Sequence, residues 1–391
     1  MAKLGLDTSK ILAYSKNSLF PILVMGVFFV YFFCVSGFSE ESYRYVHLFF
    51  LVTAVLAVFL PFFFKIPSLT MSSSVILICY LVINSMRYTY GEDYMFSSSY
   101  NIWCMMIFPN LLLAYACFPY NRPYRYWSWF YIFVLAQTAV IEKLQNQNID
   151  ADSYYFYKHI GMFNYPALCI AGFCLISLVM HQIIKGRILG AANLMSSIGV
   201  FTGILLSDDL YAFSLFFLAA MLINLISAVY YAYYITYKDE ELGISNVKSF
   251  MLDAEKKYPL KYSVALMYID EYERLVKRFG KAKIKVLKKM FLTRIRKVRP
   301  SVLIYNYKAD ALILVFKNIN AAEGFDIAED IRRAIAKSIF IFNENNRVQL
   351  TVSLCISEFR RSDAGAMGVL SRIEENLKKA CQFTRNITVK A

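Results

Sequence analysis

Residues 210–243 read LYAFSLFFLAAMLINLISAVYYAYYITYKDEELG, and the organisation of the chain turns on where this stretch changes character. Residues 210–237 contain no Lys, Arg, Asp or Glu, and residues 238–241 are all charged. A membrane crossing takes about 20 mostly apolar residues, so the first part reads as a span and Lys238 as its end. The two sides differ in charge. Residues 1–237 carry 12 Lys/Arg and 10 Asp/Glu, whereas residues 238–391 carry 30 and 18. The net charge of +14 therefore resides almost wholly in the second part. Over all 391 residues, 58% are hydrophobic and 17% aromatic, with a mean hydropathy of +0.44. Water-soluble chains are about 45–50% apolar, which argues against a simple soluble enzyme. The aromatic content argues against a disordered tail.

Working toward the N-terminus, eight apolar segments are expected as spans: 17–38, 45–64, 69–86, 101–119, 126–141, 165–184, 188–206 and 210–236. The first follows a polar lead and no small-residue cleavage site follows it, so it is read as a retained helix rather than a signal peptide. Connections alternate in charge. Lys3, Lys10, Lys16, Lys65, Arg122, Arg125, Lys185, Arg187 and Lys238 fall on one side. Glu40, Glu41, Glu92, Asp93, Asp150, Asp152, Asp208 and Asp209 fall on the other, with Arg44, Arg87, Lys143 and Lys158. Cationic loops stay in the cytoplasm, so both termini are expected there, in a bacterial-type inner membrane.

Polar residues within the apolar layer are few: Asn84, Asn110, Gln137, Asn193 and Asn224. They line a ligand pocket or, the plainer reading, hydrogen-bond between helices. No acid or base lies mid-span, which argues against an ion relay. His47, His159 and His181 lie near boundaries and make a poor metal set. Tyr154–Tyr157 in the long outer connection reads as an interfacial aromatic segment or a small lid. Six cysteines lie in spans, and Cys355 and Cys381 lie in the basic part, so no disulfide framework is expected.

Beyond Lys238 the periodicity changes. Strands are expected at 264–269, 302–307, 312–316, 348–356 and 387–389. Helices are expected at 271–298, broken near Gly280, and at 322–338 and 368–382. The order is that of an α+β sandwich of the split-βαβ kind on an antiparallel-rich sheet.

Asp239–Phe250 (DEELGISNVKSF), Ala265–Tyr272 (ALMYIDEY), Tyr305–Leu312 (YNYKADAL), Thr351–Ser357 (TVSLCIS) and the closing Arg385-Asn386 follow one another at regular spacings. Together they resemble the GGDEF domain, the diguanylate cyclase family, over about 150 residues. The resemblance implies a nucleotidyl cyclase-type fold for residues 238–391. It also implies a link to cyclic di-GMP, the product of joining two GTP molecules across two facing domains, and so to processes such as exopolysaccharide or biofilm control. In that family two carboxylates hold the metal that activates the attacking hydroxyl. Their positions here are Tyr268 and Ala311, neither a ligand for magnesium, which takes hard anionic oxygen. Asp270 and Asp310 survive beside them.

The two turn glycines, where backbone approaches nucleotide closely, are Lys308 and Ala309. The guanine-reading positions correspond to Val276 and Lys285, and the phosphate lysine to Cys381; only Arg385 remains. The family's product-binding Arg-x-x-Asp corresponds to Arg299-Pro300-Ser301-Val302, with the arginine and without the acid. The expectation is a degenerate, inactive domain with no resident cofactor or metal; Mg and GTP belong only to a version that retains activity. Arg299, Lys308 and Arg385 are the ligand-binding candidates.

The remaining feature is a run of eleven Lys/Arg between Lys277 and Arg299, with no acid from Arg274 to Ala309. Lys277, Lys281, Lys285, Lys288 and Lys289 are its expected basic surface. A solvated face, contact with anionic membrane lipid, and a nucleotide or acidic protein partner are three readings of it. Nucleic acid is not expected, because no aromatic platform interleaves the charges. The sequence thus reads as a membrane-anchored regulatory protein, residues 1–237 a transmembrane domain and 238–391 a cytoplasmic GGDEF-like domain. Its expected partners are a protein or a second copy of itself, and cyclic di-GMP or another nucleotide. Two alternatives are a residual cyclase working in a mixed dimer and a solute transporter gated by the cytoplasmic domain.

Overall fold

A computed structural model describes residues 8–34, 40–90, 98–116, 129, 132–134, 136–137, 159–160, 163–185, 188–207, 209–239, 242–256, 262–343, 346–360, 363 and 365–391. The chain divides into two compact units, Met1–Ala232 and Tyr233–Ala391.

The first unit is helical. It comprises α1 (Thr8–Cys34), α2 (Glu40–Phe63), α3 (Pro67–Tyr90), α4 (Ser98–Ala116), α5 (Tyr165–Lys185), α6 (Ile188–Leu205) and α7 (Leu210–Tyr237). A two-residue hairpin, β1 (His159–Ile160) and β2 (Phe163–Asn164), precedes α5. Five helices, in α2, α3, α5, α6 and α7, are long and apolar enough to cross a membrane. Leu19–Cys34 in α1 and Met106–Tyr115 in α4 are shorter apolar stretches. The expected span 126–141 lies mostly outside the described residues, as does Tyr154–Tyr157, so eight is not the number the described helices give.

Some of the polar residues inside this unit tie helices together. Asn224 on α7 donates to Ser73 Oγ on α3 at 3.1 Å, and Asn110 on α4 donates to Gln137 Oε1 at 2.7 Å. Asn193 instead donates to the Leu189 carbonyl of its own helix. Tyr80 is a hub: its hydroxyl meets His47 Nδ1 at 2.7 Å and Ser214 Oγ at 2.9 Å, with Phe50 and Phe213 against its ring. Small residues allow close approach on the α6–α7 contact. A Cβ on Gly203 would meet Phe217 Cδ2 at 2.9 Å and the Phe213 carbonyl at 3.3 Å.

The second unit is built on a seven-stranded sheet, order β11-β10-β5-β7-β6-β4-β3. Its strands are β3 (Lys238–Asp239), β4 (Ile244–Asn246), β5 (Tyr262–Ile269), β6 (Leu303–Lys308), β7 (Ala311–Lys317), β10 (Val352–Glu358) and β11 (Thr388–Lys390). Pairings β4–β6 and β10–β11 are parallel and the others antiparallel. Its helices are α8 (Val247–Lys256), α9 (Tyr272–Val298), α10 (Ala321–Ala336) and α11 (Gly365–Phe383). The strand period of two sorts the core into two layers. Ala265, Met267, Leu312, Leu314, Leu354 and Ile356 face α9 and α10. Val264, Leu266, Ile313, Val315 and Cys355 face α8 and α11. Both faces are covered, which is why β5 and β7 read as unbroken apolar runs.

The expected break in α9 is present: Gly280 sits at φ 78° inside the helix, a conformation open to glycine. The expected single strand 348–356 is a correction. It is two strands, β9 (Asn346–Gln349), which pairs with β8 (Ile339–Asn343) in a separate hairpin, and β10. Between them the Thr351 side chain turns away to bond Asp270, so the chain leaves one ladder and joins another.

The motif DEELGISNVKSF has a structural explanation residue by residue. Asp239 Oδ1 accepts from Leu242 N, and Gly243, at φ 69°, donates its N–H to the Asp239 carbonyl. Asn246 Oδ1 accepts from Lys248 N and Ser249 N, the start of α8. Phe250 is fully buried, edge-on against Tyr305.

Candidate functional site

The site candidates gather where β5, the β6–β7 turn and α11 meet. β5 ends at Ile269, Asp270 and the left-handed Glu271 make the turn, and α9 begins at Tyr272. On the neighbouring strand Ala311 opens β7 after the turn Ala309-Asp310. Tyr268 and Ala311 are direct partners in the β5–β7 ladder. The two positions where the sequence lacks carboxylates are thus adjacent in space. Ala311 is fully buried. The Tyr268 hydroxyl donates to Glu374 Oε1 at 3.0 Å.

Glu374, from the buried side of α11, is the centre of this cluster and was not singled out from sequence. Its carboxylate also accepts from the Tyr307 hydroxyl at 2.8 Å, from Lys308 Nζ, and lies 3.0 Å from Lys378 Nζ. Burial pushes this carboxyl up, but the donors Lys308, Tyr307, Lys378 and Tyr268 outweigh it and bring it down to about 2. The Tyr268 hydroxyl is raised by burial first and by Glu374 second. The signal in the sequence was the position of Glu374, beside Leu370, Ile373 and Leu377 on the apolar stripe of α11.

Asp270 is buried and structural. Its carboxylate accepts from Thr351 Oγ1 at 2.6 Å, Ser353 Oγ at 2.7 Å and Asn386 N at 3.1 Å. This one acid gathers three of the sequence motifs: the strand-one turn, TVS and the closing Arg-Asn. Asp310 contributes its carbonyl to Ile269 N. Cys381 lies near the same turn; burial holds its thiol above the usual range, against the pull of Ser353.

The ligand candidates do not converge. Lys308 is committed to Glu374, Arg385 pairs with Glu271 at 2.6 Å, and Arg299 is exposed at the C-terminal end of α9. Lys288 is a correction: it is not part of a basic surface but 5% exposed. Its ammonium donates to Asn306 Oδ1 at 3.0 Å and the Lys308 carbonyl at 2.9 Å, while Asn306 donates to Asp239 Oδ2 at 2.6 Å. Burial lowers Lys288 to about 8, opposed by Asp239 and Asp310. Lys277, Lys285 and Lys289 are exposed as expected; the Lys281 side chain lies outside the described residues.

The model of the family described as "Diguanylate cyclase, GGDEF domain" matches residues 245–386. Residues 245–386 form a GGDEF domain. The cyclase family thus accounts for the C-terminal region, and the apolar helices precede it. Among solved structures, the chain is similar to the GGDEF domain of FimX from Pseudomonas aeruginosa, at 15% identity and TM-score 0.36, over 40% of this chain and 99% of that one. It is also similar to the GGDEF domain of DgcB from Caulobacter crescentus in complex with c-di-GMP, at 17% identity and TM-score 0.35, over 40% and 93%. A third is the diguanylate cyclase SiaD from Pseudomonas aeruginosa in complex with its activator SiaC, at 12% identity and TM-score 0.37, over 66% and 90%. Likenesses this distant carry nothing about activity. No curated protein matches the chain.

The GGDEF family implies a magnesium-bound GTP. The residues present do not fit that group. A phenol and a methyl stand at 268 and 311, the two positions that the resemblance gives to carboxylates, and the nearby carboxylate, Glu374, is surrounded by four donors of its own chain. Among the described residues no three His, Cys, Asp or Glu side chains form a metal-ligating group.

Proposed function

We propose that the protein is a membrane-anchored regulator in a cyclic di-GMP-linked pathway, whose GGDEF domain does not turn over GTP and works by binding a protein partner or nucleotide. The observation that carries this reading is the opposition of Tyr268 and Ala311 across β5 and β7. A metal clamp made from two strands needs an anionic oxygen from each, and here neither strand offers one. The ion-paired cluster around Glu374 supports it further, because Lys308 and Lys378 spend their charge on an internal carboxylate instead of a triphosphate.

The loop charges favour an inner-membrane protein with both termini in the cytoplasm, where the domain meets nucleotides. Reporters active on one side only, fused at residue 391 and near Asp150, separate the two orientations. The activity is tested on the full chain in detergent, with GTP and magnesium or manganese, alone and with added cyclic di-GMP. The expected result is no product above a protein-free blank; cyclic di-GMP formation overturns the reading.

A further inference from the structure

Helix α4 carries Pro109 in its interior, where the chain lacks a backbone N–H and the helix loses one of its own hydrogen bonds. The next residue, Asn110, belongs to the apolar stretch Met106–Tyr115 and is 4% exposed. Its Nδ2 donates to Gln137 Oε1 at 2.7 Å. Its Oδ1 has no hydrogen-bond partner among the described residues. An amide oxygen withdrawn from solvent and left unmatched is costly, and the large majority of buried polar atoms are matched by protein or by ordered water.

Asn110 lines a cavity of about 20 Å³ bounded by α3, α4 and residues 134 and 137. Val75 and Cys79 of α3, Met106 and Ile107 of α4, and Gln137 share its wall. The wall is thus apolar except for the Asn110 and Gln137 amides and the Cys79 thiol. One water needs roughly 10–15 Å³ of such space and makes about three hydrogen bonds. The cavity has that room and that number of polar groups, and it is too small for a larger solute.

We infer that this cavity binds a water molecule, held by Asn110 Oδ1, the Gln137 amide and the Cys79 thiol, which ties α3 to α4 beside the Pro109 interruption. The choice of water over a small cation follows from the amide pair. As placed, the pair leaves an acceptor without a partner. With both amides turned over, Gln137 would donate to Asn110 and an N–H would be left instead. Water serves either arrangement, because it both donates and accepts; a cation serves only the first. The wall also holds no Asp or Glu to balance a cation in an apolar layer. The end of an acyl chain would leave Oδ1 unmatched. The consequence is mechanical. Where α4 has one backbone hydrogen bond fewer, it is joined to α3 through a molecule that can re-form its bonds at a new angle. The inference stands independently of whether the domain turns over GTP.

The test uses the full chain in nanodiscs, exposed to an X-ray pulse that splits water into hydroxyl radicals. Oxidation is then read residue by residue by mass spectrometry. A radical born from a bound water oxidises the nearest sulfur before it diffuses away. Cys79 and Cys174 make a matched pair, 6% and 3% exposed, but Cys174 lines an apolar groove with Leu112, Leu113, Ile170 and Phe173. Cys79 should be oxidised and Cys174 protected. N110L, which removes the amide at nearly constant size, should lose the Cys79 label. Cys174 should stay protected in that variant, which reports that it is folded. Equal labelling of Cys79 and Cys174 in the unaltered protein overturns the inference and leaves the cavity to hydrocarbon; this comparison needs no variant to fold. A Cys79 label that survives N110L with Cys174 still protected overturns it too.

Discussion

Tyr268 and Ala311 stand opposite each other on adjacent strands, so two positions far apart in sequence meet at one point. The Tyr268 phenol reaches across to α11, where it donates a hydrogen bond to Glu374. Placing acids at both positions is not enough for turnover. Lys308 and Ala309 still fill the turn, and Val276 and Cys381 still stand where the resemblance expects the groups for guanine and phosphate. The Y268D/A311E protein, given GTP and magnesium, is expected to yield no cyclic di-GMP by chromatography. Turnover by this variant would show that the two carboxylates alone were missing.

Glu374 gives the domain a defined acid sensitivity. Its folded value of about 2 lies below that of an unfolded glutamate, about 4.3. A depressed carboxyl contributes stability that is fully present above the unfolded value and is lost as pH falls through the folded one. The gap corresponds to about 3 kcal/mol, lost between roughly pH 5 and pH 2. Thermal unfolding of the full chain in detergent should therefore weaken more steeply across the upper part of that window than unfolding of E374Q. Parallel curves would remove Glu374 from the account.

Asp270 offers a test that separates architecture from chemistry. D270A leaves Thr351, Ser353 and the Asn386 N–H without their shared acceptor. Loss of a buried charged acceptor costs about 2–4 kcal/mol. D270N should fare little better, because its amide donors would face donors. Both losses should be equal with and without magnesium, read as the shift in melting temperature. A loss seen only with magnesium would make Asp270 a ligand.

The sheet of the second unit was legible because β5 and β7 are apolar runs bounded by polar turns, and the Gly280 break because glycine alone suits that backbone. The step from β9 to β10 was not. Alternation continues through Leu350 and Thr351, and the reason for the break, Asp270, lies 81 residues away. Lys288 was hidden by composition. In a run of eleven cations it reads as one more surface lysine, and only its helical phase, between Ile284, Leu287 and Phe291, places it on the buried stripe. Glu374 showed in the sequence only as an acid on the apolar stripe of α11, and its partners Tyr268, Tyr307 and Lys308 come from other elements.

In the first unit, the Asn224 amide bridges α7 to Ser73 on α3, with Ser72 at 3.4 Å. Hydrogen bonds between membrane helices are worth about 0.6 kcal/mol on average. N224A should destabilise the helical unit by about that amount, and N224L, which adds bulk at a fully buried position, by more. Denaturation in mixed micelles measures both; equal stability of N224A and the unaltered protein would remove the bridge from the account.

Lys288 sets a second pH dependence, of the same sign but at the alkaline end. Its folded value is about 8 against an unfolded one of about 10.4, so the unfolded chain holds the proton more tightly between the two. Stability from this group therefore rises as pH climbs from about 8 to about 10.5, by up to about 3 kcal/mol. The gain is relief of the cost of keeping an ammonium buried, partly offset by its attraction to Asp239 and Asp310. K288M keeps the aliphatic stem but leaves Asn306 Oδ1 and the Lys308 carbonyl without a donor, so at pH 7 it should be less stable by about 1–3 kcal/mol. The unaltered protein should pull further ahead of K288M as pH rises to 10. A constant difference between them from pH 7 to pH 10 would mean that the Lys288 proton leaves at its ordinary value and that burial does not govern it.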